Sequence, residues 1–429
     1  MLEKGQKYTV VCDEMNNLGN AVCRIDGVVA FVGGALIGEK VEIAIDKVTS
    51  SYALAHMTKI IERSPYRIEA ECPHFGECGG CAFGTLGIAY ENEIKENYVR
   101  STLKKFGVDA TVDKVVCPVA KEYRNKIILF YDGKGFGYMR ASTKRVLPHT
   151  RCALNEEIFD KIAEYVLESV DKTHLYALFM RKSSAIEGEI MVCPIFKRKA
   201  NITAWAKTLC TKFPQVKSVY SGVFFGREFV LGACKLEKVA GKAYIEDTLC
   251  ALNFEVSPKS FYQVNSRCAE ALYEKAISYL DVNENSTVAD LFCGTGTIGL
   301  IVANRTGAKV YGVEIEPDAV ADARRNARLN GVSNIEFFEG DAKDFNKKVD
   351  ACVIDPPRKG CSEFAIETLL RLSPEKIVYV SCNPDTLARD LTKLGEKYKI
   401  SSPVTPFNMF PRTSHVESVV CLTRSDKAT

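Results

Sequence analysis

The stretch Asp290-Leu-Phe-Cys-Gly-Thr-Gly-Thr-Ile-Gly299 closes one apolar strand and opens a helix. Glycines at 294, 296 and 299 have the Gly-x-Gly-x-x-Gly spacing, which lets a backbone turn tightly and approach a ligand closely. The helix that follows offers unpaired N–H groups at its start. Around this turn, apolar strands alternate with helices: Thr287–Phe292, a helix from Gly296, Val310–Glu314, a helix from Asp318, Ile335–Glu339, Ala351–Asp355, a helix after Glu363, Ile377–Ser381 and a helix from Asp385. That alternation predicts a doubly wound, Rossmann-like α/β domain built on a parallel sheet.

Glu314 ends the second strand, 20 residues after Gly294, where a carboxylate can accept from both hydroxyls of a ribose. Strand, turn, helix and acid together predict a nucleoside cofactor. Spacing alone does not separate NAD from S-adenosylmethionine. Asp290 leans toward the second, because a carboxylate suits a sulfonium and an amino group better than a pyrophosphate.

Two further strand ends carry unusual residues, in Asp355-Pro-Pro-Arg-Lys-Gly360 and Ser381-Cys382-Asn-Pro384. Ligands of open α/β sheets lie at the carboxyl ends of the strands, so Asp355, Cys382 and the cofactor are predicted to share one crevice. A thiolate beside a methyl donor suits methylation of a poorly nucleophilic carbon such as C5 of uracil. Sulfur adds at C6, C5 takes the methyl group, a base removes the C5 proton and sulfur leaves. Glu417, in Phe410-Pro-Arg-Thr-Ser-His415-Val-Glu417-Ser, is the candidate base, although spacing alone fits a solvated carboxylate equally. His415 reads as a structural hydrogen-bonding residue.

The rest of the 429 residues bounds this picture. The length predicts about three domains. With 57 Lys+Arg against 54 Asp+Glu the net charge is +3, which excludes a strongly basic nucleic-acid coat protein and leaves any RNA binding to local patches. No apolar run reaches membrane-spanning length and no secretory leader is visible, so a cytoplasmic protein is expected. Its 17 cysteines are then reduced thiols, ligands or catalytic groups. Near the N-terminus the strand-like runs Val28–Val32, Val41–Val48 and Tyr52–Ile61, punctuated by glycines, predict a barrel of about five strands. Ile88–Phe106 reads as an amphipathic helix. Residues 115–250 read as mostly β, with one helical run near Asn155–Lys172.

Between barrel and helix, Cys72, Cys78 and Cys81 occupy a segment rich in glycine and proline. A fourth ligand is needed, and Cys152 is the candidate; four thiolates suit a [4Fe–4S] cluster or a structural zinc. Basic residues beside aromatics in Lys121-Glu-Tyr-Arg-Asn-Lys126, Tyr138-Met-Arg140, Lys144-Arg145 and Arg151 are candidate RNA contacts, Tyr123 and Tyr138 as stacking rings.

The string Phe261-Tyr-Gln263-Val-Asn265, the turn 290–299, Asp355–Gly360, Ser381–Pro384 followed by Thr386-Leu-Ala-Arg-Asp390, and His415-Val-Glu417 together resemble the RNA (uracil-5-)-methyltransferase family. The resemblance spans nearly the whole chain and is strongest to the iron–sulfur, TRAM-containing members that act on 23S rRNA. It implies a TRAM-like, OB-like RNA-binding β-barrel over 1–62, a central mostly-β domain with an iron–sulfur loop over 63–250, and a methyltransferase domain over 251–429. It further implies Cys382 as nucleophile and Glu417 as base. Gln263, Phe292, Glu314, Asp341 and Asp355 would be the S-adenosylmethionine positions, and Cys72, Cys78, Cys81 and Cys152 the ligands of a [4Fe–4S] cluster. Thr297 stands where some members carry Asn and is assigned no contact. The implied partner is RNA, ribosomal rather than transfer, bound by a monomer. An NAD-dependent oxidoreductase would leave Cys382 and Glu417 unused, and a non-catalytic RNA-binding protein would leave the whole crevice unused. An amino-methylating enzyme prefers an aromatic where this chain has Arg358.

Overall fold

The alternation from residue 287 onward forms one eight-stranded sheet in the computed structural model, which describes residues 2–148, 151–184 and 188–425. Five parallel strands cross it in the order Ile335–Glu339, Lys309–Glu314, Thr287–Leu291, Ala351–Ile354 and Lys376–Ser381. The order reverses between Thr287–Leu291 and Ala351–Ile354, so the ligand crevice of such a sheet opens at the carboxyl ends of these two strands. Ala351–Ile354 is buried at every position and Lys376–Ser381 at all but its first, the continuous apolar pattern of strands covered on both faces. Helices between the strands start on recognisable signals. Pro317 and Pro384 stand at the first helical turn, and the Ser362 hydroxyl accepts from the Ala365 amide at 3.2 Å.

Three C-terminal strands depart from the expected all-parallel pattern. Glu417–Arg424 pairs antiparallel with Lys376–Ser381, and Tyr398–Ile400 and Thr405–Phe407 pair antiparallel with it in turn. Helix Ser266–Leu280 precedes the first strand, capped by Asn265, whose side chain accepts from the Cys268 amide at 3.2 Å.

The N-terminal sheet has six strands rather than five, the extra one being the two-residue Glu14–Met15. Its core is set by alternation: Val41, Ile43 and Ile45 are buried while their neighbours are partly open. Helix Ile88–Lys105 follows the cysteine-rich loop, as expected, but its buried face includes the charged residues Glu91, Lys95 and Glu96.

The central region is a seven-stranded sheet from Lys126–Tyr131 to Lys235–Gly241. Two helices pack on it, Glu157–Ser169 and Thr203–Lys212, where one helical run was expected. The hairpin Ile245–Leu249/Leu252–Val256 turns through Cys250 and Ala251, both with positive φ. The expected boundary at 250/251 falls in that turn. The backbone amides of Asn253 and Glu255 donate to the side chains of Asn330 and Asn326, on helix Pro317–Leu329 and its C-cap, so the hairpin packs with the C-terminal domain. No helix among the described residues is long and apolar enough to cross a membrane.

Candidate active site

The glycine turn is built from inside. Asp290 is buried, and its Oδ2 accepts from the Gly299 amide at 2.7 Å; a Cβ on Gly299 would lie 2.8 Å from that oxygen. Its Oδ1 has no hydrogen-bond partner among the described residues. Burial, reinforced by the charges of Asp355 and Glu314, pushes Asp290 up to about 7, against the opposing Gly299 hydrogen bond. Asp290 therefore anchors the turn from beneath. One oxygen of the carboxyl group expected to favour a cationic ligand is thus committed to the turn, while the other has no partner among the described residues.

On the open side, Phe292 takes a φ of +69°, strained for a residue with a side chain, and its amide donates to Val313 O at 3.0 Å. Glu314 Oε2 accepts from the Gly294 amide at 3.0 Å and Oε1 from the Glu316 amide at 2.9 Å. Each of these oxygens keeps a lone pair for a ribose hydroxyl. Asp341, half-buried at the end of the neighbouring strand, accepts from the Lys343 amide at 3.1 Å.

Asp355 and Cys382 leave the ends of adjacent parallel strands, and Glu417 opens the antiparallel one. The last pair between these strands is Ser381 with Ser418, so the next register step sets Cys382 opposite Glu417. Burial pushes the Cys382 thiol up to about 12; the Glu417 and Asp355 charges add to this, and Arg358 opposes it. Burial, then Asp355, pushes the Glu417 carboxyl up to about 8, again against Arg358. Asp355 rises to about 7 through burial. A protonated thiol, two carboxyl groups near neutrality and one guanidinium thus share a partly desolvated space, an arrangement suited to moving protons near pH 7–8.

The string Thr386–Asp390 supports this space from behind. Buried Asp390 Oδ2 accepts from the Cys361 amide at 2.8 Å and from the Tyr379 hydroxyl at 2.7 Å, while Arg389 Nη2 donates to Lys359 O and Cys361 O. The loop carrying Arg358 is held by these bonds.

Two residues not singled out in the sequence belong here. Arg358 Nη2 lies 3.3 Å from His415 Nδ1. Burial, then Arg358, holds His415 below its ordinary value, which fits a neutral structural partner. Tyr273, buried on helix Ser266–Leu280, is surrounded by Asp355, Gln263, Glu417 and Asp290. The Gln263 side chain hydrogen-bonds the Tyr273 hydroxyl. No local sequence signal marks Tyr273.

Cys72, Cys78, Cys81 and Cys152 line one cavity of about 700 Å³ with Lys121, Arg124, Arg140, Lys144 and Arg151. Burial pushes Cys81 up to about 12, with Cys152, Cys78 and Cys72 adding and Arg124 opposing. Four thiols and a guanidinium around one space have the donor chemistry of a thiolate-bound, anionic cluster. Among the described residues, no three His, Cys, Asp or Glu side chains are gathered closely enough to hold a metal ion. All 17 cysteines are free thiols. The expectation of Tyr123 as a stacking ring is corrected: it is buried, and its hydroxyl donates to Pro411 O at 3.0 Å. The Tyr138 hydroxyl accepts from Asn155 Nδ2 at 2.9 Å.

Comparisons with known proteins bear on both ends of the chain. The TRAM domain model matches residues 2–58, and a methyltransferase domain model matches 282–405. An uncharacterized RNA methyltransferase of Bacillus cereus (strain ATCC 10987) is 35% identical, covering 99% of this chain and 98% of its own. One from Caldanaerobacter subterraneus subsp. tengcongensis is 33% identical, with 98% of each chain covered. The crystal structure of the Pyrococcus abyssi tRNA (uracil-54, C5)-methyltransferase in complex with S-adenosyl-L-homocysteine aligns with a TM-score of 0.80 and 26% identity, covering 97% of this chain and 100% of that one.

Proposed function

Because the chain belongs to the RNA methyltransferase family, its N-terminal TRAM domain joined to a methyltransferase domain, we propose that it methylates C5 of uracil in RNA, giving 5-methyluridine, with Cys382 as nucleophile and Glu417 as base. The observation that carries this reading is the register that sets Cys382 opposite Glu417 beside Asp355. A thiol facing a carboxyl group is superfluous for methylating an amine, which already has a lone pair, and necessary for a carbon that lacks one.

S-adenosylmethionine supplies the methyl group as an electrophile. Gln263, Phe292, Glu314, Asp341 and Asp355 would hold it against the glycine turn. The Cys382 thiol passes its proton to solvent as sulfur bonds to C6, and the C5–C6 π pair of the ring moves to C5 and O4 as an enolate. C5 would take the methyl group as its bond to the sulfonium breaks and S-adenosylhomocysteine is left; Glu417 removes the C5 proton, and the returning pair expels the Cys382 sulfur as a thiolate that regains a proton from solvent. Arg358, beside both Cys382 and Glu417, stabilises negative charge as it develops. The target carbon of a stacked base is covered by its neighbours, so the nucleotide would be flipped out into the crevice.

Cys72, Cys78, Cys81 and Cys152 would hold a [4Fe–4S] cluster. Four protein ligands leave no iron site open, and uracil methylation needs no electron, so its role is to order the loop and position RNA. The basic residues around the cavity supply phosphate contacts. The units 1–62, 63–250 and 251–429 then divide backbone binding, RNA positioning and chemistry in a cytoplasmic monomer.

The RNA proposed is 23S rRNA. A second reading, transfer RNA, is favoured by the aligned Pyrococcus structure, an enzyme of tRNA uracil 54. Mapping 5-methyluridine in both RNA pools from cells lacking the protein decides between them. Loss from neither pool would overturn the proposal.

A further inference from the structure

Arg412 stands where three parts of the molecule meet. Its carbonyl accepts from the amides of Ala82 at 2.7 Å and Phe83 at 3.1 Å, the two residues after Cys81. Its own amide donates to Glu91 Oε1 at 2.9 Å on helix Ile88–Lys105, and its guanidinium donates to Leu86 O at 2.6 Å. Its φ is +71°, a left-handed conformation that surrounding contacts must hold in place. The strand that opens with Glu417 begins five residues on.

The holding contacts are buried and charged. Glu91 Oε1 also accepts from Lys95 Nζ and from Asn408 Nδ2, each at 2.9 Å. Lys95 Nζ donates further to Asn408 Oδ1 at 2.6 Å and to Phe410 O at 3.3 Å. Glu91 and Asn408 are fully buried and Lys95 is 1% exposed. Apolar side chains of similar volume stabilise such a place at least as well as an ion pair taken out of water. What the ion pair adds is direction, since every contact ends on segment 408–412 or on the helix that packs against the cysteine loop.

We propose that Glu91, Lys95 and Asn408 are positioning residues that fix segment 408–412, and through it the base Glu417, to the loop carrying Cys72, Cys78 and Cys81, so that the order of the cysteine loop sets the placement of the base. The proposal rests on the uracil-5 reading for its kinetic consequence and on the hydrogen bonds of Glu91, Lys95, Asn408 and Arg412 for its mechanical one.

Both are tested with the double variant Glu91→Gln/Lys95→Met, which removes the two charges together, and with Asn408→Ala, which removes none and serves if the first does not fold. Displacing a reacting group by about 1 Å costs up to about 100-fold in rate, so kcat is expected to fall about 10- to 100-fold. KM for RNA stays within about twofold, because no RNA contact is touched, and methylated covalent adduct accumulates. Amides of 408–417 exchange with deuterium about tenfold faster, and Cys81→Ser accelerates the same amides. Unchanged exchange of 408–417 together with a kcat like the parent's overturns the proposal. Faster exchange in the variants and in Cys81→Ser, in a protein that forms no adduct at all, upholds the coupling and removes Cys382 from its assigned role.

Discussion

Cys382 and Glu417 stand opposite one another at the seam between the parallel and antiparallel parts of one sheet, one register step beyond the pair Ser381 and Ser418. The seam brings a thiol and a carboxyl group together from positions 35 residues apart without a flexible loop between site and scaffold. Rigid strand ends hold reacting groups more closely than loops do.

Cys382→Ala is expected to abolish methyl transfer while leaving the fold intact, since the side chain is only partly buried and its loss costs at most about 1 kcal/mol. Transfer of labelled methyl to RNA gives the first readout and thermal unfolding the second. With RNA containing 5-fluorouridine the parent enzyme should form a stable adduct, because fluorine does not leave as a proton does. Peptide mapping of that adduct to any cysteine other than Cys382 would falsify the assignment.

Glu417→Gln should stall the reaction after methylation. Loss of a general base costs about 100- to 10,000-fold, so methylated adduct should build up on normal RNA. In the parent enzyme the carboxyl sits near 8, so its basic form grows as pH rises and product release should accelerate through about pH 8. A release rate flat between about pH 6 and 9 contradicts the role.

Burial of the same carboxyl has a stability signature. Its folded value, about 8, lies above the ordinary 4.5, so the native state holds a proton that the unfolded state has lost between those values. The associated stability is complete below pH 4.5 and drains away as pH rises toward 8. Glu417→Gln should therefore match the parent in denaturant titrations at low pH and exceed it by a few kcal/mol at about pH 8. An increment independent of pH would mean the carboxyl is not desolvated.

Gly299→Ala should weaken the cofactor site. The added methyl would sit 2.8 Å from Asp290 Oδ2, so either the turn or the buried carboxylate shifts. Overpacking of this kind costs about 1–3 kcal/mol. Calorimetric titration with S-adenosylhomocysteine should show affinity falling at least about tenfold; unchanged affinity would show that the turn tolerates the move.

Purified without oxygen, the protein should be brown and carry about four irons per chain, as a thiolate-bound [4Fe–4S] cluster requires. Cys152→Ser should lose most of that iron. A colourless, iron-free protein rules the cluster out and leaves the cavity to another ligand.

The parts of this molecule legible in its sequence are those set by local pattern. The Gly294–Gly299 turn, Glu314 at its fixed distance and the buried strands each announce themselves within a few residues. What escaped depends on the direction of a side chain or on a distant partner. The bond from the Gly299 amide to Asp290, nine residues earlier, that holds the turn from beneath has no signature in the sequence. Tyr123 looks like part of an exposed basic patch, yet Pro411, almost three hundred residues away, receives its hydroxyl. Tyr273 lies on a helix of ordinary amphipathic pattern, and only the packing of that helix carries it among Gln263, Asp355 and Glu417. The strand Glu417–Arg424 has the composition of any buried strand; that it enters antiparallel is settled by the topology of the strands before it.

That late, inserted strand also imposes an order in time. A ribosome delivers the chain from its N-terminus, so the nucleophile emerges well before the base, and the sheet has an open slot until Glu417–Arg424 slides between Lys376–Ser381 and Tyr398–Ile400. A nascent chain halted short of residue 417 would leave that slot open, with Cys382 at an unfinished edge and no strand to set Glu417 opposite it.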